Sequence, residues 1–364
     1  MGKQTALMPS PLERLLTLVP GDPAAFAEAV RGIADWNAVA NEAREHGLFG
    51  VLVHACQAAG SPVPDAILRD YARHQAIASV WHSHLLASLD ELGAIAVGAS
   101  IKMVALKGPL LAERLYPDAA LRPSVDLDLL VSESELDATL DALRTGGWGP
   151  ESGPSSAYAR RHHHHLQVRR EGHPPLELHF RARAAFGTVF PAAPLIKRSV
   201  AVGTASGRGL RVLAPEDEFV YLAVHAAAHG FSRLMWLYDL KLLCGRHVQM
   251  DWDVIVDRAR AVETLRAVRF ACETLKERLG VTAPDHPALA SKGFRHALAR
   301  SVQARVARDE GLLAIDRLGG LAFTGLLCDT PRAAVRLWGH HASHMLKRRV
   351  QRRLPRLVPA NWAG

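Results

Sequence analysis

Two aspartates one residue apart open a short apolar run, Asp126-Leu-Asp128-Leu-Leu-Val131, and what precedes them is equally ordered. The β-favourable segment 101–105 leads into Lys107-Gly108, then into Pro109 to Leu115, where proline in a first turn is compatible with a helix. The pattern predicts strand, glycine turn, helix, loop, strand. Side chains alternate across a strand, so Asp126 and Asp128 share one face, with Cα atoms about 7 Å apart. Leu127, Leu129 and Val131 take the opposite, core-facing side, and Leu130 falls on the aspartates' side towards the buried end. Two carboxylates facing one way beside a glycine turn can hold a divalent metal against a nucleotide's phosphates.

The surroundings read as follows. Residues 11–98 are Ala-rich and helical, with turns at Pro20-Gly21, Gly47, Gly60-Ser-Pro62 and Pro64. Ser132 is expected to cap a helix carrying Glu133 and Glu135 in its first turn and ending at Gly146-Gly147. After a polar loop over 149–164, which includes the run His162 to His165, two strands are expected at 166–169 and 176–180 around Glu171-Gly172. Helix returns from Pro215 to Trp338. The expected fold class is α+β, in four parts: a helical region over 1–98, a core of small mixed sheet and flanking helices over 99–213, a helical region over 214–340, and a basic tail over 341–364.

A chain of 364 residues with 49% hydrophobic and 22% charged residues has the composition of a globular protein with a substantial core. The net charge of +8 points to an anionic partner, but much of it crowds into Lys347-Arg348-Arg349, Arg352-Arg353 and Arg356. That tail reads either as a solvated basic helix or as a contact for nucleic acid or anionic lipid. Cys56, Cys244, Cys272 and Cys328 have no metal-binding or disulfide spacing and fit a reducing compartment. No signal peptide or membrane-spanning run is evident, and Ala6 breaks the myristoylation pattern, so a soluble cytoplasmic protein is expected.

The pattern Leu106-Lys107-Gly108, Leu115-Tyr116-Pro117, Arg122, Asp126-x-Asp128-Leu-Leu-Val131 resembles the bacterial uncharacterised nucleotidyltransferase family, within the DNA polymerase β-like superfamily. The likeness continues through Glu177-Leu178-His179 and His225-Ala-Ala-Ala-His229-Gly230 to Arg233, Trp236 and Asp239, roughly residues 30 to 280. It implies a minimal polymerase β-like core and transfer of a nucleoside monophosphate from an NTP to a hydroxyl-bearing acceptor: a small molecule, peptide, protein or RNA. Mg²⁺ or Mn²⁺ would be held by Asp126, Asp128 and, as the resemblance suggests, Glu177, one of which would help deprotonate the acceptor. Lys107, Gly108, Arg122 and His179 would contact the nucleotide, His179, on Glu177's face, either meeting phosphate or orienting a carboxylate. Lys107-Gly108 stands where the superfamily usually carries Gly-Ser, so a full positive charge replaces a hydroxyl. Three converging carboxylates should repel one another, so replacing an aspartate by alanine is expected to leave stability unchanged or raised.

Other readings remain. The donor is an NTP or another phosphate-activated compound such as a nucleotide sugar, or the core is a non-catalytic nucleotide sensor or RNA-binding adaptor. Arg122 contacts phosphate or pairs with Asp118 or Glu113. His225 and His229 have an i, i+4 zinc spacing, but Ala226 stands where a metalloprotease needs glutamate; their face, with Arg233, Trp236 and Asp239, lines a pocket or docks the helix on the core. P-loop, dinucleotide, nucleophile-elbow and kinase motifs are missing.

Overall fold

The computed structural model describes residues 9–150, 159–161, 163–284, 286–290, 293–306, 317–339 and 341–342. His162, Gly153 to Ser156 and the basic cluster from Lys347 to Arg356 lie outside the described residues. Within them an α+β fold places a seven-stranded mixed sheet between helices, in the order β3-β4-β5-β2-β1-β9-β8. The strands are β1 (Val104–Ala105), β2 (Leu127–Leu130), β3 (Gly149–Pro150), β4 (His165–Arg169), β5 (Leu176–His179), β8 (Val200–Ala201) and β9 (Arg211–Val212); β6 (Arg181–Ala185) and β7 (Thr188–Pro191) form a separate hairpin.

Central β2 runs parallel to β5 and antiparallel to β1. Alternation along β2 divides the interior. Leu127, Leu129 and Val131 join a core beneath the sheet with α7 (Leu136–Thr145) and the end of α5 (Asp65–Gly98), whereas Leu130 joins the larger core above it. In α5, Leu85, Leu89, Leu92 and Ala96 recur at helical spacing and cover the lower face.

The upper core is built jointly from the helices before and after the sheet. Helix α1 (Pro11–Leu18) packs on the Leu265–Leu279 helix. Buried Lys241, on the Leu234–Arg246 helix, donates to Leu16 O at 2.6 Å, Thr17 O at 2.9 Å and Leu279 O at 3.4 Å. One ammonium thereby satisfies carbonyls at the C-terminal ends of two helices that lie far apart in sequence.

Some local expectations change. Ser132 makes no capping bond to the chain; Glu133–Glu135 forms a 3₁₀ turn ahead of α7, and the Ser132 hydroxyl meets Ser134 Oγ at 2.7 Å. The β6–β7 hairpin and the two-residue strands β8 and β9 at one end of the sheet carry no alternating pattern long enough to announce them.

Arg122 lies in the loop before β2 with 4% exposure, and Asp239 on the Leu234–Arg246 helix has none. Arg122 Nε and Nη2 donate to the two Asp239 carboxylate oxygens at 2.8 and 2.9 Å, and Tyr116 Oη donates to Asp239 Oδ1 at 2.8 Å. This bidentate pair fastens the upper helices to the approach of the aspartate strand. Asp239→Ala should therefore cost about 3–5 kcal/mol in urea unfolding, because it strands a buried guanidinium, while Arg122→Met/Asp239→Leu should recover most of the loss. A loss below about 1 kcal/mol for Asp239→Ala would show that the pair does not hold the layers together.

Candidate active site

The register of β2 and β5 brings Asp128 directly opposite Glu177 and Leu130 opposite His179; β4 then sets Gln167 opposite Glu177 and His165 opposite His179. Asp126 stands one residue before β2, at the mouth. Its side chain keeps 29% exposure and that of Glu177 25%, against 1% for Asp128. The site thus has a buried carboxylate at its floor and two open carboxylates at its rim.

Lys107 lies between the aspartates. Its Nζ forms an ion pair with Asp128 Oδ2 and lies 3.7 Å from Asp126 Oδ1. The turn that delivers it needs Gly108, whose φ of 84° is rarely open to side-chain-bearing residues. Leu106 N donates to Asp128 O at 3.1 Å, pinning the start of the turn to β2. His179, with 3% side-chain exposure, places Nε2 3.1 Å from Asp128 Oδ1 and 3.5 Å from Glu177 Oε2.

These contacts set the charges. Burial alone would raise Asp128, but Lys107 and the hydrogen bond from His179 hold it well below the usual carboxylate range. Burial would lower Lys107, yet Asp128 carries it above its ordinary value. Asp126 is raised, chiefly by burial and against the pull of Lys107. Glu177 is lowered, chiefly by its hydrogen bond with His179. Burial would lower His179, but bonds to Asp128 and Glu177 raise it. The expectation of unrelieved repulsion between carboxylates changes accordingly: Lys107 neutralises the pair, so removing Asp128 leaves a buried ammonium without its main partner and costs stability.

A second wall faces these residues. Arg183, on β6, donates from Nη1 to His225 Nδ1 and from Nη2 to His229 Nε2, both at 3.0 Å. Its Nε is buried with no hydrogen-bond partner. The guanidinium lies within electrostatic reach of Asp128 and Glu177, and burial lowers its pKa. Trp236 packs against both imidazoles, with ring centroids 5.2 and 5.0 Å away. Tyr221, on the Pro215–Ala228 helix, is buried, and burial raises its phenol above the ordinary value. Burial pushes His225 well below its usual value and His229 down to about 4, so both are neutral acceptors at physiological pH.

The polar contacts described for Arg122 go to Asp239 and to Ser124 Oγ at 3.0 Å. Asp118 instead caps the following turn and accepts from Gln75, and Glu113 accepts from Ser206 at 3.0 Å. Arg183 escaped the sequence reading. Its one signal is an Arg-x-Arg after Glu-x-His, and the register shift between Arg181 and Arg183 disrupts the alternation that would have placed it.

The family model described as uncharacterised nucleotidyltransferase matches residues 33–280, more than half of the chain. The chain belongs to this family. The matched span contains every residue of both walls, from Lys107 to Trp236, and the α+β fold accords with the family. No curated protein matches the chain. Asp128, Glu177 and His179 bring ligand atoms within 4.8 Å of one another, a donor set able to hold a metal ion. Among the described residues, no helix is long and apolar enough to cross a membrane.

The Arg183 wall rests partly on His46, whose Nδ1 accepts from Leu234 N at 3.4 Å and which burial lowers to about 4. His46 and His229 are neutral when folded, whereas in the unfolded chain both take up protons below about pH 6.5. Between about pH 6.5 and 4 the unfolded state therefore binds more protons, and stability should fall as pH falls through that window. Urea midpoints measured across it should decline, with a shallower slope in His46→Gln; a stability that rises on acidification would contradict these assignments.

Proposed function

We propose that this nucleotidyltransferase moves a nucleoside monophosphate from an NTP to a hydroxyl-bearing acceptor at the cleft between the two walls. The observation that carries the reading is the register of Asp128 against Glu177 across paired strands, with Lys107 on one side and Arg183 opposite. That arrangement supplies carboxylates for a metal and two cations for a polyphosphate in one pocket.

Asp126, Asp128 and Glu177 fit Mg²⁺ or Mn²⁺, being hard oxygen donors on one face. When bound, such an ion supplies charge stabilisation to the α-phosphate and to the entering and departing oxygens. The other roles belong to the chain. Asp128, fixed by Lys107 and His179, stays ionised and holds its orientation. Asp126 is open to solvent and raised in pKa, which suits it to take the acceptor's hydroxyl proton. The acceptor oxygen then bonds to the α-phosphorus while the bond to the bridging oxygen breaks, and pyrophosphate leaves with that electron pair.

Charge on the departing pyrophosphate falls to Lys107 and Arg183. Arg183 is prepared for this because its donors rest on two neutral imidazoles, and a phosphate oxygen is a stronger acceptor than an imidazole nitrogen. Gly108 leaves the backbone beside Lys107 free of a Cβ where the polyphosphate approaches. Arg122 acts through Asp239 as a positioning residue, holding the loop that leads into Asp126.

Isothermal titration with the four NTPs, with and without Mg²⁺, tests the reading. Wild-type protein should bind one or more NTPs only with Mg²⁺. Asp128→Asn should abolish that Mg²⁺-dependent binding, and Arg183→Gln should weaken binding about 10- to 100-fold, the scale of a charged hydrogen bond. Binding indifferent to Mg²⁺ and to Asp128→Asn would overturn the assignment.

A further inference from the structure

Beside the carboxylates lies a histidine cluster that shares His179 with them and whose other members, His164 and His165, have no part in the proposed transfer. His165 and His179 are cross-strand partners on β4 and β5, and His164 immediately precedes β4. Their ring centroids are 4.6 Å (His164–His165), 5.1 Å (His165–His179) and 5.6 Å (His164–His179) apart. One nitrogen from each ring lies within 4.8 Å of those of the other two. The Nδ1 atoms of His165 and His179 are both buried and have no hydrogen-bond partner. A buried ring nitrogen left without a partner is costly, and here two occur on adjacent rings.

We propose that His164, His165 and His179 form a site for a divalent transition metal of the zinc type, separate from the carboxylate site for Mg²⁺. The ligand chemistry separates the two classes: imidazole favours Zn²⁺, Co²⁺ and Ni²⁺, while carboxylate and water favour Mg²⁺ and Mn²⁺. Three imidazoles leave one tetrahedral position open. Glu177 borders the cluster, with Oε1 3.9 Å from His165 Nε2. The surrounding shell is also in place, because His179 Nε2 is held by Asp128 at 3.1 Å; a ligating imidazole characteristically gives its other nitrogen to a carboxylate. In a tetrahedral zinc site the ligand nitrogens stand about 3.3 Å apart, so small rotations of these side chains close the set.

The cross-strand pair His165–His179 lies two register positions from Glu177, on the same face of the sheet, so a metal there would fix that carboxylate. Its binding does not depend on nucleotidyl transfer, so the two proposals stand or fall separately.

The test uses Co²⁺ as a visible probe on full-length protein stripped with chelator. One equivalent should give the intense absorption of a tetrahedral ion, displaced by Zn²⁺ but not by excess Mg²⁺. His164→Asn and His165→Asn should each weaken Co²⁺ binding about tenfold or more. A His162→Asn/His163→Asn variant should bind as wild type, which separates a built site from adventitious capture by a run of histidines. Absence of the tetrahedral spectrum, displacement by Mg²⁺, or loss of binding in the His162→Asn/His163→Asn variant while His164→Asn and His165→Asn still bind would each overturn the proposal.

Discussion

The site depends on how a carboxylate is kept ionised with almost no access to water. Asp128 has 1% side-chain exposure, a position in which an isolated charge would be prohibitively costly. Lys107 on one oxygen and His179 on the other make it tenable. The two partners come from opposite sides in the chain, one from a glycine turn before β2 and one from the neighbouring strand β5. The turn, the sheet order and the register must therefore all be right for the charge to be tolerated. Asp126 and Glu177 are the complement, since their side chains keep 29% and 25% exposure and can reach a ligand.

The second wall uses a different device. Arg183 is enclosed with no carboxylate hydrogen-bonded to it, and two imidazoles lowered by burial accept its hydrogen bonds. A carboxylate partner would neutralise the guanidinium; imidazoles orient it and leave its charge uncancelled. Lys107 and Arg183 thus differ in kind. The first is already committed to carboxylates, whereas the second is held in reserve. In the proposed reaction, the anion that draws on both is the polyphosphate of the donor.

Much of this was legible in the sequence, for local reasons. Alternation along Asp126 to Val131 correctly separated Leu130 from Leu127, Leu129 and Val131, because strand period alone decides which core each joins. Lys107-Gly108 and Pro109 marked the turn and the helix. What escaped depends on long-range pairing. Asp239 answers Arg122 across 117 residues, and His225 and His229 answer Arg183 across 42 and 46. No local pattern encodes such partners. The same holds for the imidazole cluster, where the run of histidines was visible but its union with His179 required the register of β4 on β5.

The most direct measurement is a crystal structure with Mg²⁺ and a non-hydrolysable NTP analogue. The account predicts the metal against Asp128 and Glu177, the polyphosphate between Lys107 and Arg183, and the Lys107 ammonium turned from Asp128 towards phosphate oxygen. A nucleotide bound elsewhere, with the Lys107–Asp128 pair intact and Arg183 still seated on His225 and His229, would contradict it.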